Sequence, residues 1–144
     1  MSFRLIYDEE DRMLAWAAER IGIDRFRRDA TAIGLERDGR IVAVAAYDTF
    51  SAVECNVHLA SDGSKGWMNK EFLVAGFAYP FIQCGFLSIT GVVPADNKAA
   101  LSFNKHIGWQ QIGVRRKCMP EGKDVVLMEM LREDCRFLPK EHKQ

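Results

Sequence analysis

The chain has 144 residues, 48% of them apolar and 28% charged, enough for one domain with a real core and too few for two comfortable ones. That composition excludes an intrinsically disordered protein. Lys plus Arg number 20 and Asp plus Glu number 20, so no overall basic field draws in nucleic acid or anionic membrane, and any partner must be recognised locally.

The opening residues meet acidic side chains at once and lack the basic-then-apolar layout of a signal peptide. A first helix is expected after Asp8, whose carboxylate can cap the orphan amides, with Met13, Trp16, Ala17 and Ile21 as its buried stripe. Ala30 to Leu35 and Ile41 to Ala46 are strand-like runs on either side of Asp38-Gly39, a dipeptide that favours the type I′ turn and predicts a hairpin. Ala52 to Ala60 reads as a third strand, with Val53, Cys55, Val57 and Leu59 on one face and Glu54, Asn56 and His58 on the other. Interior strands rarely carry such a polar face.

From Phe72 to Ala95 no residue is charged, a length that qualifies as a membrane span. Pro80, Gly76, Gly85, Gly91 and Pro94 interrupt it and Gln83, Ser88 and Thr90 add polar groups, which favours a buried helix and then a buried strand, Leu87 to Val93, divided at Gly85, with Pro80 either kinking the helix or ending its regular part. The next helix is compact. Asp96 or Asn97 caps it, Ala100, Phe103 and Ile107 form its stripe, and Gly108 supplies the left-handed stop. Trp109 to Cys118 and Val125 to Leu131 complete the strands around Pro120-Glu121-Gly122, and the chain from about residue 132 is expected to be a tail, solvated at its last residues. The order is helix, hairpin, strand, helix, strand, helix, strand, strand, with one right-handed parallel crossover.

Cys55, Cys84, Cys118 and Cys135 include no CxxC pair, and His58, His106 and His142 form no metal-ligand spacing with them. A reduced, cytoplasmic, metal-free protein is expected.

The segment Asn97-Lys98-Ala99-Ala100-Leu101-Ser102-Phe103-Asn104-Lys105-His106-Ile107-Gly108-Trp109 after Val92-Val93-Pro94 resembles a signature of the GCN5-related N-acetyltransferase superfamily. The closest branch is that of the ribosomal-protein N-terminal acetyltransferases. Asn97, Ala100, Phe103, Gly108 and Trp109 stand at the signature positions, and the element order over about residues 3 to 131 matches as well. The resemblance implies a single α/β domain over residues 1–144 with a mixed, centrally splayed sheet flanked by helices. Acetyl-CoA would lie between Ala52–Ala60 and Leu87–Val93. Its pyrophosphate would rest on Gly63-Ser64-Lys65-Gly66-Trp67-Met68, where a helix N-terminus attracts anions. The implied cofactor residues are Leu59, Ser64, Lys65, Gly66, Trp67, Asn97, Ala100, Phe103 and Asn104. Individually, Asn97 is equally a cap, Phe103 core and Gly108 a helix stop.

Two positions depart from the family pattern. In the phosphate loop only Gly66 fits, and Met68 would crowd the approach. Where many relatives have a tyrosine that protonates the departing thiolate, this chain has Asn104, which has no titratable proton; a thiol with a pKa of about 8.5 still leaves tolerably, helped by water or Ser102.

An amine acceptor must lose a proton before it attacks a thioester. His58 and Glu54 are the candidate bases, His58 directly and Glu54 through water or as a ligand for a cationic acceptor, whereas His106 reads as a surface residue. Arg25, Phe26, Arg27 and Arg28, together with Arg115, Arg116 and Lys117, would flank the acceptor pocket and suit an acidic peptide or a phosphate-bearing acceptor. The expected function is direct acetyl transfer from acetyl-CoA to a primary amine, without a covalent enzyme intermediate. The alternatives are a catalytically silent CoA-binding or protein-interaction module and, less consistent with the charge balance, a nucleic-acid-binding domain. A homodimer stays open, and no membrane partner is expected.

Overall fold

The computed structural model describes residues 2–64 and 69–139. Seven strands form one sheet in the order β1-β2-β3-β4-β5-β7-β6: β1 (Phe3–Ile6), β2 (Thr31–Arg37), β3 (Arg40–Asp48), β4 (Glu54–Ser61), β5 (Ser88–Pro94), β6 (Gln110–Arg115) and β7 (Val125–Leu131). Three helices join them, α1 (Glu10–Ile21), α2 (Lys70–Ala78) and α3 (Lys98–Ile107). All neighbours pair antiparallel except β4 and β5, the parallel pair that α2 connects. The expected mixed α/β sheet is thus present, with one further strand at its edge. β1 has only four residues and two of them are exposed, too short a run for an alternation to show in sequence.

The Asp38-Gly39 hairpin forms as its sequence demands. Arg37 pairs with Arg40, and Asp38 and Gly39 both take positive φ, 51° and 84°. That is the twist-matching turn of two antiparallel strands. The expected Asp8 cap does not form. α1 is preceded by Glu9, whose carboxylate makes no capping bond and pairs instead with Arg4 and Arg12. Of the expected α1 stripe, Met13 and Ala17 are buried, Ala18 joins them, and Ile21 is exposed. Trp16 is half-buried, with the Arg20 guanidinium 4.2 Å from its ring centroid.

The uncharged stretch divides into helix and strand. Asn69 caps α2 by accepting from the Phe72 amide at 3.1 Å. At Pro80, which has no N–H to continue the ladder, the helix widens into a π turn over Tyr79–Gln83. No helix among the described residues is long and apolar enough to cross a membrane.

The two faces of the sheet differ. α2 and α3 cover one, where Tyr47, Cys55, Ile89, Met128 and Met130 meet Phe72, Phe77 and Ile107 in the main core. Tyr47 is fully buried and donates its hydroxyl to the Gly76 carbonyl at 2.5 Å, tying β3 to α2. α1 covers the other face through a smaller cluster of Met13, Ala17, Ala32, Val44 and Ala60. The chain after β7 is not a loose tail. Cys135 and Leu138 are buried, and Phe137 stacks on Phe77 with centroids 5.3 Å apart. The core therefore reaches residue 138; the terminal residues 140–144 lie outside the described ones.

Candidate active site

The site begins where the parallel pair parts. β4 and β5 are in register only at Glu54 with Ser88, Cys55 with Ile89 and Asn56 with Thr90. Beyond that, β4 continues to Ser61 against β3, and β5 continues to Pro94 against β7. The facing backbone groups of the two strands are left for something other than a neighbouring strand, since buried amides and carbonyls require partners. Gly91 sits at the fork. A Cβ there would come 3.2 Å from the Val57 carbonyl oxygen and 3.6 Å from the Trp109 ring. A side chain at this point would push the strands apart below the intended fork.

On the face shared with α1, the register aligns a row of polar side chains across five strands: Asp48, Asn56, Thr90, Glu129 and Gln110. The Thr90 hydroxyl donates to Asn56 Oδ1, the side-chain amide oxygen. Glu54 lies on the same face at the start of β4 and is half-buried, like Asn56, His58, Thr90 and Glu129. α1 packs against β2, β3 and β4, so the half of this face on β5 and β7 opens outward. The polar face of β4 avoids the cost of buried unpaired groups because Asn56 accepts from Thr90, His58 bonds Asp48, and its polar side chains are only half-buried.

His58 stands just past the fork. Its Nε2 is 3.1 Å from Asp48 Oδ1, and the side chains are 23% and 7% exposed. Thr49 Oγ1 also donates to that carboxylate at 3.1 Å. Burial pushes the Asp48 carboxyl up, but the His58 and Thr49 bonds and the nearby Arg27 charge outweigh it and hold the group below its ordinary value. An ionised carboxylate only accepts, so His58 Nε2 is the donor of this bond and Nδ1 is the ring nitrogen it leaves free. Phe26 packs edge-on against the imidazole with centroids 5.5 Å apart. Its loop is anchored by Asp29, which accepts from the Thr49 and Phe50 amides at 3.0 and 3.5 Å.

The other predicted site residues fall into three groups. Leu59 lies on the parted segment of β4 and is 37% exposed. Ser64 is the last described residue before the loop, and its amide already donates to Asp62 Oδ1 at 2.8 Å; Lys65, Gly66, Trp67 and Met68 lie outside the described residues. On α3, Asn97 caps the helix through the Ala100 amide at 3.1 Å, and Ala100 and Phe103 pack on the main core. Asn104 turns inward, its amide donating to Met128 Sδ at 3.6 Å. Ser102 lies on the exposed side of α3 with Lys105 and His106.

The two basic clusters do not converge. Arg25 to Arg28 lie beside Asp29 and the end of β3, whereas Arg115 pairs with Val125, the residue opposite Pro94 at the far end of β5. Thr90 and Pro94 are four residues apart along that strand, roughly 13 Å. Asp48 and Glu129 were not among the expected site residues. Glu129 had a signal, as the one charge in the apolar run Val125–Leu131; Asp48 had none, since its partner stands on another strand.

No family model matches the sequence, and no curated protein is similar to it. Solved structures share its fold. A spermidine/spermine N-acetyltransferase of Vibrio cholerae aligns over 90% of this chain and 92% of its own, with TM-score 0.73 and 12% identity. The ribosomal-protein-S18-alanine N-acetyltransferase of Escherichia coli aligns over 90% and 94%, with TM-score 0.63 and 16% identity. A GNAT-family acetyltransferase of Streptococcus pneumoniae aligns over 90% and 99%, with TM-score 0.69 and 11% identity. The chain has the fold of the GCN5-related N-acetyltransferases, as its α3 segment implied.

Proposed function

We propose that this protein transfers an acetyl group from acetyl-CoA directly to a primary amine. The observation that carries the proposal is the fork. The parallel pair separates after three rungs, and a histidine paired to a buried carboxylate stands immediately beyond it. The parted edges of β4 and β5 suit a thin, amide-bearing chain such as pantetheine, and Gly91 keeps the approach narrow. A structural neighbour, the Vibrio cholerae spermidine N-acetyltransferase, was solved in complex with CoA and spermine, which supports the same ligand class here.

In the proposed reaction acetyl-CoA supplies the activated acyl group. His58 Nδ1 takes the proton of the incoming ammonium, and the freed nitrogen lone pair forms the new bond to the acyl carbon. The carbon–sulfur bond breaks and the electron pair leaves with sulfur; the acylated nitrogen releases its second proton to water, and the thiolate takes one proton from water because Asn104 has none to give. Glu54 and Glu129 hold the acceptor as a cation until then. Asp48 holds His58 in the required tautomer without itself taking up a proton. Every group in this scheme belongs to one chain. All four cysteines are free, in keeping with a reducing compartment and our assignment to the cytoplasm.

Asn104 favours a second reading, a silent CoA-binding module. Two measurements separate the readings. Acetyl-CoA at a hundred times its dissociation constant stabilises either form by about 2.7 kcal/mol and raises its Tm, whereas amine-dependent CoA release occurs only in an enzyme. Absence of a shift at millimolar acetyl-CoA would overturn both.

A further inference from the structure

Resting on the acetyl-transfer reading, the geometry of the acceptor side points to a narrower substrate class: we infer that the acceptor is the free amino terminus of an acidic peptide. The floor of the open face is acidic. Glu54 and Glu129 project onto it half-buried, in addition to the Asp48 carboxylate that His58 occupies. Its rim is basic. The loop after α1 carries Arg25, Arg27 and Arg28, all exposed, around a concavity of about 520 Å³ that also takes in Phe26 and Asp29. Phe26 connects this concavity to the site, because its ring meets His58 edge-on at 5.5 Å.

The charges of the rim are only partly spent. Asp29 pairs with Arg27 at 3.2 Å and is itself engaged by the Thr49 and Phe50 amides. Asp24 is the other carboxylate of the loop. Among the described residues Arg25 and Arg28 form no ion pair, while four side-chain carboxylates outside this loop are so engaged, Glu9, Glu36, Asp48 and Asp96. With a chain of zero net charge, long-range attraction does not select a ligand, and the local contrast between floor and rim decides. The matching ligand is cationic at the reacting nitrogen and anionic a few ångströms further on.

A polyamine fits the floor and is repelled by the rim. A single amino acid has too few carboxylates to engage Arg25 and Arg28 together once its amine is at the floor. A peptide whose first residues include several carboxylates meets both arginines while its α-amine reaches His58, with Glu54 further along the same face of β4. Guanidinium groups favour such carboxylates through paired N–H donors.

The test measures CoA release with a glutamate-rich peptide bearing a free amino terminus, the same peptide with glutamine in place of glutamate, and spermidine. The inference expects the glutamate peptide to exceed both others in kcat/KM by about tenfold at low salt and the margin to shrink as salt rises. It expects Arg25→Glu/Arg28→Glu to raise KM for the glutamate peptide by about tenfold and to move preference toward spermidine. Equal or better use of spermidine, or a preference untouched by the double variant, overturns it. If no amine is turned over, the acetyl-transfer reading fails. The acceptor class is then decided by titrating the fluorescent glutamate peptide into the CoA-loaded chain: about tenfold weaker binding to the double variant upholds the rim, and equal binding overturns it.

Discussion

Asp48 and His58 bond across a diagonal of the sheet. Asp48 faces Asn56 and His58 faces Ala46 in the β3–β4 register, yet the carboxylate and the imidazole lie 3.1 Å apart. Diagonal neighbours on one face of a sheet are within reach of long side chains. Here the bond fixes which ring nitrogen is left to act. His58→Ala and Glu54→Gln are each expected to lower kcat/KM by about a hundredfold or more. Asp48→Ala should lower kcat by about tenfold with little change in KM, and Asp48→Asn should recover part of the loss because its amide oxygen still accepts from Nε2. Steady-state kinetics of the four variants check this; equal activity of Asp48→Ala and Asp48→Asn would show that Asp48 does not position the ring.

Gly91→Ala is expected to weaken acetyl-CoA binding more than it weakens the fold. The new methyl meets the Val57 carbonyl at 3.2 Å, so one of the two backbones must yield where they start to part. Over-packing of this kind costs about 1 to 3 kcal/mol. Ligand-induced Tm shifts compared with urea unfolding of the unliganded variant separate the two effects, and an unchanged Tm shift with acetyl-CoA would remove Gly91 from the ligand path.

Acid should destabilise the fold through two carboxylates. The Arg12 bond, aided by Arg4, holds Glu36 below its ordinary value in spite of its burial, and Asp48 is held low by His58 and Thr49 against the opposing effect of burial. Both groups bind protons more weakly folded than unfolded. Their contribution is therefore complete above the usual carboxylate range, about 4, and is lost as pH falls through the lower folded values. Urea midpoints should drop between neutral pH and the acid range, and Glu36→Gln should flatten that dependence. A variant with an unaltered pH profile would contradict the assignment.

Arg132 secures the turn between the π segment and β5. Its Nε donates to the Phe86 carbonyl at 2.8 Å, another guanidinium nitrogen donates to the Gly85 carbonyl, and its own amide bonds the Leu87 carbonyl at 2.9 Å. Arg132→Ala leaves two carbonyls to find new partners, and thermal or urea unfolding should show a loss of about 1 to 3 kcal/mol. A loss below that range would mean that water replaces the guanidinium without penalty.

The fold was legible where local chemistry decides it. Asp38-Gly39 can turn only one way at low cost, and Asn97 and Gly108 delimit α3 at both ends. Phe3–Ile6 was not legible because a four-residue edge strand takes its conformation from β2. The burial of Cys135 and Leu138 was hidden as well, since a short segment docks against helices distant in sequence. Glu54 and His58 stood out through alternation on β4, whereas the bond to Asp48 depends on the strand register. Register likewise separates Arg115, Arg116 and Lys117 from Arg25, Arg27 and Arg28.

The parting of β4 and β5 has a bearing on solubility. Sheets end in unpaired backbone, and that edge is where foreign strands add and aggregates begin. This chain has a pair of such edges in the middle of its sheet, from Val57 and Gly91 onward. An intruding strand would need about 4.8 Å to each side, held constant along its length. Two backbones that diverge from a three-rung junction offer that width over a short stretch only. The taper keeps the gap from templating another polypeptide and leaves it to a narrower ligand.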